Sequence, residues 1–186
     1  MGLHGVREAK VMRIAIDIDG VLANWNDAFA RKIGARLPPE GPEHWDWPER
    51  FAAESPAQRA RVDRAFAKKG AAFWGGLEPL EEDLDLRALT RDHQVFFITK
   101  RPAESWMQEL TAEWLYDYYN LQFPTVIVTQ GAKQPILDAL GVEVALDDYW
   151  GNLRAGDVLR TAPYNRHISW DRRASGVKEF FERFVK

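Results

Sequence analysis

Cysteine is absent from this chain of 186 residues, which excludes disulfides, thiolate metal sites and a cysteine nucleophile. The absence suits a reducing compartment, so a cytoplasmic location is expected. Long apolar runs are missing as well. No stretch approaches the roughly 18 residues of a membrane span, and residues 1–10 are polar, without the apolar segment of a secretory leader. There is no basic excess either. The net charge of −3 does not favour a polyanionic nucleic acid and leaves a small molecule as the expected partner. The four histidines, His4, His44, His93 and His167, are scattered without metal-ligand spacing and read as structural or surface residues. No Gly-rich dinucleotide loop, P-loop or Ser-His-Asp arrangement occurs, and there is no internal repeat.

Against these absences stand 46% hydrophobic and 28% charged residues, the balance of a globular chain long enough for one core and an insertion. Strands are expected over residues 12–16, 94–98, 125–129 and 142–146, with weaker candidates at 157–160 and 166–169. Helices are expected over 24–35, 56–69, 84–91, 103–119, 133–140 and 175–184, the last with Ser175 as its N-cap. Residues 37–48, with four prolines and with Trp45 and Trp47, read as a loop, as does Phe73-Trp74-Gly75-Gly76-Leu77. Alternating strands and helices argue an α/β fold, a parallel sheet covered on both faces. In such sheets the ligand site lies beyond the carboxyl ends of the strands. The stretch between the first strand and residue 94 is too long for one crossover helix and must hold an inserted cap. The expected division is a core of residues 1–26 and 79–186 and a helical cap of residues 27–78. A cap can close over a substrate and exclude water.

The chemistry starts where the first strand stops, at Asp17-Ile18-Asp19-Gly20-Val21. Carboxylates spaced i, i+2 lie on one side of a strand, and beyond its end they can converge on one small volume. Such a pair suits a hard cation of the Mg²⁺ type. One carboxylate can attack a phosphoryl group and form an aspartyl-phosphate; the other can act as general acid and then general base. Thr99 ends the second strand, Lys133 opens a helix, and Asp147-Asp148 end a later strand. A phosphate monoester brings about two negative charges to a nucleophile that is itself negative, so attack needs cations. Mg²⁺ on Asp17, Asp147 and Asp148 would supply them. Lys133, the Thr99 hydroxyl and the backbone amides after Asp17, Gly20 among them, would hold the phosphate oxygens.

Asp17-Ile18-Asp19-Gly20-Val21 resembles the first motif of the haloacid dehalogenase (HAD) superfamily, and Thr99, Lys133 and Asp147-Asp148 follow in the order its phosphatases use. The resemblance implies a HAD-like Rossmannoid sheet with a small helical cap. It implies Asp17 as nucleophile and Asp19 as acid and base, Asp19 also ligating Mg²⁺ through its backbone carbonyl. A second Asp at this spacing is typical of the superfamily's phosphatases rather than its dehalogenases. A closer resemblance is to the 5′(3′)-deoxyribonucleotidase family, bacterial and phage type. It rests on residues 17–23, Phe73-Trp74-Gly75-Gly76-Leu77-Glu78-Pro79-Leu80, residues 94–99 and 129–133, Leu146-Asp147-Asp148 and Pro163-Tyr164-Asn165-Arg166. That family removes phosphate from nucleoside monophosphates, deoxy forms preferred, and its members are often dimers, so a homodimer is expected.

One departure stands out. Vertebrate-type members follow the strand-end Thr with Ser, whereas this chain has Lys100-Arg101-Pro102. Lys100 is expected at the phosphate or in a solvated turn, and Arg101 at the substrate. A nucleobase needs a flat stacking surface, worth about 1–3 kcal/mol per ring; Phe73 and Trp74 are the first candidates and Trp45 and Trp47 the next, with packing inside the cap as their alternative. Two other functions remain open: a HAD phosphatase for another small monoester such as a sugar phosphate, and a non-catalytic HAD-fold binding module.

Overall fold

The computed structural model describes residues 10–185. The readings of the polar first nine residues and of His4 lie outside the described residues.

β1 (Arg13–Ile16) forms because an Ile-Ala-Ile run has both its faces covered: Ile14 and Ile16 point into one apolar cluster and Ala15 into another. It is flanked by β2 (Gln94–Lys100) and β4 (Val144–Asp147). β3 (Thr125–Thr129) adds beyond β2, and β5 (Val158–Arg160) and β6 (Arg173–Ala174) beyond β4. The sheet runs β3-β2-β1-β4-β5-β6, and every pairing is parallel. The α/β expectation holds. Register aligns Ile16 with Leu146 on one side and Phe97 on the other. One residue further on, Asp17 and Asp147 therefore emerge side by side at the carboxyl edge.

One face of the sheet is covered by α6 (Met107–Tyr119) and α8 (Val177–Phe184), which bury Met107, Trp114, Leu115, Phe180 and Phe181. The other is covered by α7 (Gln134–Ala139) through Leu137. α5 (Leu86–Thr90) is a short helix ahead of β2.

Between β1 and β2 lie four helices: α1 (Trp25–Ile33), α2 (Trp47–Ala53), α3 (Pro56–Ala67) and α4 (Ala71–Gly75). Asn24 caps α1 by accepting from the Asp27 N–H, and Gly34 ends it in the left-handed region (φ 68°), which glycine adopts without steric cost. α1–α3 have an apolar cluster of their own, with Phe29, Ile33, Trp47, Ala52, Val62 and Ala65. α4 packs instead toward the sheet layer, where Trp74 joins the main core and Trp114 Nε1 donates to the Leu77 carbonyl (2.8 Å).

Four local expectations are corrected. The proline-rich loop ends at Asp46, because Pro48 opens α2 from its first turn rather than breaking a helix. Phe73-Trp74-Gly75 is helical. Residues 166–169 form no strand; the last strand is Arg173–Ala174, a two-residue edge too short to show a period. The N-cap of α8 is Gly176, not Ser175. Ser175 donates both N–H and Oγ to Glu179 (2.7 Å each), while Glu81 accepts from the Val177 N–H (2.6 Å).

Candidate active site

The carboxyl edge of β1, β2 and β4 opens into a cleft of about 740 Å³. Asp17, Asp19, Thr99, Lys133 and Asp148 stand on its floor, and the helical layer forms the opposite wall.

The floor begins with the turn after β1. The amides of Val21, Leu22 and Ala23 all donate to the Ile18 carbonyl, at 3.2, 2.8 and 2.8 Å. Gly20 takes φ 82°, and a Cβ there would collide with the Asp148 carboxylate. Its own N–H is already donated to Ala23 (2.9 Å), and the Ile18 N–H to Asp17 Oδ1 (2.7 Å). The free amide expected of Gly20 is therefore absent, and what the glycine supplies is room for the Asp148 carboxylate. The Asp19 N–H has no acceptor among the described residues.

Lys133, at the start of α7, sends Nζ between two strand ends, 2.7 Å from Asp17 Oδ1 and 2.7 Å from Asp147 Oδ2. Asp147 also accepts from the Tyr149 N–H (2.9 Å) and from Asn152 Nδ2 (3.1 Å to each oxygen). Asp148 takes the Tyr164 hydroxyl on Oδ2, and Asn165 Nδ2 holds its carbonyl (2.9 Å). Its Oδ1 is buried with no hydrogen-bond partner among the described residues.

Carboxylate oxygens of Asp17, Asp147 and Asp148 lie within 4.8 Å of one another. Lys133 pairs directly with two of these three buried acids, while Asp148 has, among the described residues, only the more distant charges of Lys133 and Arg160. Burial, then the charge of Asp147, pushes Asp17 well above the usual carboxylate range, although Lys133 opposes this. Burial and Asp147 likewise push Asp148 up to about 7, against the Tyr164 hydrogen bond. Burial works against the charge of Lys133, but Asp147 and Asp17 outweigh it and hold the ammonium charged. An all-oxygen donor set, an unpartnered buried carboxylate oxygen and uncompensated negative charge together fit a hard divalent cation.

Thr99 and Arg101 converge on Asp19. Thr99 Oγ1 donates to Oδ2 (3.2 Å), while Arg101 donates from Nε to Oδ2 (2.8 Å) and from Nη2 to Oδ1 (2.7 Å). Lys100 is exposed at the cleft edge.

The facing wall is aromatic, from Trp25, Trp45, Phe66 and Trp74. Trp74 is on it as expected, but its ring already carries the Arg101 guanidinium at 4.9 Å and Lys69 Nζ at 5.0 Å. Trp47 and Phe73 are not on the cleft wall. Trp47 is buried among α1–α3 with Nε1 donating to Asn26 (2.8 Å), and Phe73 packs under Lys32. Trp45, 46% exposed, stacks on Tyr149 at 4.6 Å and meets Tyr164 edge-on at 5.3 Å. Lys69 Nζ lies 4.2–5.5 Å from the rings of Phe66, Trp74, Trp25 and Phe29 and forms no ion pair among the described residues.

Sequence reasoning missed Tyr164, Asn152, Thr111 and Lys69. The Pro163-Tyr164-Asn165-Arg166 string flagged the first without giving it a task. The others come from helices and turns whose approach to the cleft has no signature in the chain.

A family model described as 5′ nucleotidase, deoxy (pyrimidine), cytosolic type C protein matches residues 10–185. No curated protein matches the chain. Among solved structures, a HAD-superfamily hydrolase, subfamily IA, variant 1, from Geobacter sulfurreducens PCA is 17% identical, with 92% of this chain and 95% of that one covered at a TM-score of 0.56. CbbY from Rhodobacter sphaeroides in complex with phosphate is 15% identical over 92% of this chain and 96% of its own, TM-score 0.51. These structures share the fold.

Proposed function

The chain belongs to the 5′ nucleotidase, deoxy (pyrimidine), cytosolic type C family, and on that premise we propose that it is a Mg²⁺-dependent phosphatase of nucleoside monophosphates, deoxyribonucleotides foremost. The single observation that carries the reading is the convergence of Asp17, Asp19, Thr99, Lys133 and Asp148 on one cleft floor beneath an aromatic wall. An acidic floor without Lys133 would suit ion storage; a basic one without Asp17 would suit phosphate binding alone. The combination suits phosphoryl transfer.

In the proposed mechanism an Asp17 oxygen attacks phosphorus. Lys133 steadies that carboxylate and, with the Asp19 N–H, Lys100 and the Thr99 hydroxyl turned from Asp19 onto the phosphate, draws the phosphate oxygens onto the floor. Asp19 gives a proton to the departing sugar oxygen as the ester bond breaks, leaving an aspartyl-phosphate. Water then attacks phosphorus, Asp19 takes its proton, and Asp17 is freed. Asp17, Asp147, Asp148 and the Asp19 backbone carbonyl would hold the metal, which when bound supplies positive charge to the phosphoryl group. Asn152 and the Tyr164 hydroxyl keep the acids turned toward that position.

The unit of residues 27–78 serves as the cap in this reading, with Trp45 as the exposed ring for base stacking. The proposal includes a cytoplasmic location and a homodimer; no helix among the described residues is long and apolar enough to cross a membrane.

The test is phosphate release, with Mg²⁺ and with EDTA, across deoxy- and ribonucleoside 5′- and 3′-monophosphates and several sugar phosphates. Metal-dependent release concentrated on deoxynucleotides is expected. Release from sugar phosphates alone would remove the nucleotide reading and keep the phosphatase; silence on all esters would remove both.

A further inference from the structure

Arg101 has no exposed surface with which to bind a substrate. Its side chain is 0% exposed. Nε and Nη2 are spent on Asp19 at 2.8 and 2.7 Å, and Nη1 on Thr111 Oγ1 at 2.9 Å. Its face lies 4.9 Å from the centroid of Trp74. Thr111 is itself anchored, donating to the Met107 carbonyl one turn back in α6 (2.7 Å). The guanidinium is therefore fixed on three sides, by a carboxylate, a hydroxyl and an indole.

Asp19 needs such a fixture. It sits in the turn after β1 rather than in the ladder, so the sheet alone does not set its side-chain torsions. A planar fork that takes both carboxylate oxygens sets them at once, which the point charge of a lysine cannot do. Proton transfer to a leaving oxygen depends steeply on that placement.

We infer that Arg101 is a positioning residue of the reaction: it holds the Asp19 carboxyl group aimed at the leaving oxygen and does not read the substrate. Of the Lys100-Arg101 departure from the Thr-Ser pattern, Arg101 then serves the acid and base, and Lys100 alone is left to the phosphate. This rests on the proposed role of Asp19. In the step concerned, the Asp17–phosphorus bond forms, the ester P–O bond breaks, and the Asp19 proton ends on the departing oxygen. An alkyl leaving group needs that proton; p-nitrophenolate departs without it.

The test compares kcat/KM, which reports the first displacement, for glycerol 2-phosphate or a deoxynucleoside monophosphate against p-nitrophenyl phosphate. The variants are R101M, R101K, R101A, T111V and D19N. For R101M and R101K a loss of roughly 100-fold on the alkyl ester is expected, with less than about 5-fold on the p-nitrophenyl ester. T111V should show the same discrimination in weaker form, and added guanidinium should restore R101A on the alkyl ester alone. T111V and R101K carry the test if R101M does not fold. Equal losses on both esters, or none, in R101K and T111V overturn the inference when D19N itself discriminates between the esters. If D19N shows no discrimination, the role of Asp19 falls, and the inference with it.

Discussion

The two sides of the cleft are built on opposite physical terms. On the floor, Asp17, Asp147, Asp148 and Lys133 are all almost fully buried and are tied to one another and to their neighbours by ion pairs and hydrogen bonds. On the wall, Trp45 and Phe66 keep large exposed faces, and Lys69 is met by rings and by no carboxylate partner among the described residues. Buried charge tolerates little change, because removing one partner strands another. An exposed ring strands no charge when it is exchanged, although Trp45 also rests on Tyr149 and Tyr164. In the proposed reading the floor is therefore the side that fixes the reaction, and the wall the side that selects the ester.

The sharpest way to break this division is at Asp17. Asp17→Asn is expected to lower kcat on every ester by a factor on the order of 10⁵ while the circular dichroism spectrum stays native. A loss confined to some esters would move the nucleophile elsewhere. Next comes Tyr164→Phe, which removes the hydroxyl held by Asp148. Mg²⁺ binding should weaken about 10- to 100-fold, read as the metal concentration for half-maximal rate, with kcat at saturating metal little changed.

On the wall, the two tryptophans of the same loop region should part company. Trp45→Ala should raise KM for nucleotides about 10-fold and leave p-nitrophenyl phosphate turnover alone. Trp47→Ala should instead cost about 3–5 kcal/mol of stability, seen in urea unfolding. If Trp47 carried the KM effect, the assignment of walls would be reversed.

The smallest effect concerns Lys69. Burial lowers its pKa from 10.5 to about 8, with Asp19 opposing and Lys32 adding to the shift. Its folded-state pKa lies below its unfolded value, so its charge costs stability below about 8, and the cost fades as pH rises from there toward 10.5. Lys69→Met should raise Tm at pH 7 by roughly 2 °C, and the gain should shrink above pH 8. A gain independent of pH would mean that packing, not charge, is responsible.

The same contrast explains what could be read from the chain. The floor was legible because its residues sit at strand ends, where register does the placing: once β1 and β4 are recognised, Asp17 and Asp147 must be neighbours. The wall was not, because which ring of a helix or loop faces the cleft depends on how that helix is rotated. Trp45 and Trp47 differ by two positions and end on opposite sides of one helix start. Arg101 was legible as part of the site but not in its partner. A residue beyond a strand end can turn toward the ligand or back onto the turn of the next strand, and nothing local decides between them. Prolines misled for a definite reason: Pro48 marks a helix start as readily as a loop.

The most direct test of the central claim is to trap the covalent enzyme. Asp19→Asn, mixed with Mg²⁺ and p-nitrophenyl phosphate, whose leaving group needs no proton from Asp19, and quenched in acid within the first turnover, should carry a phosphoryl group on the peptide containing Asp17, found by mass spectrometry and absent from Asp17→Asn. Phosphate release by the wild-type protein with the adduct on another residue, or with none at any quench time in Asp19→Asn, would contradict a reaction that runs through Asp17.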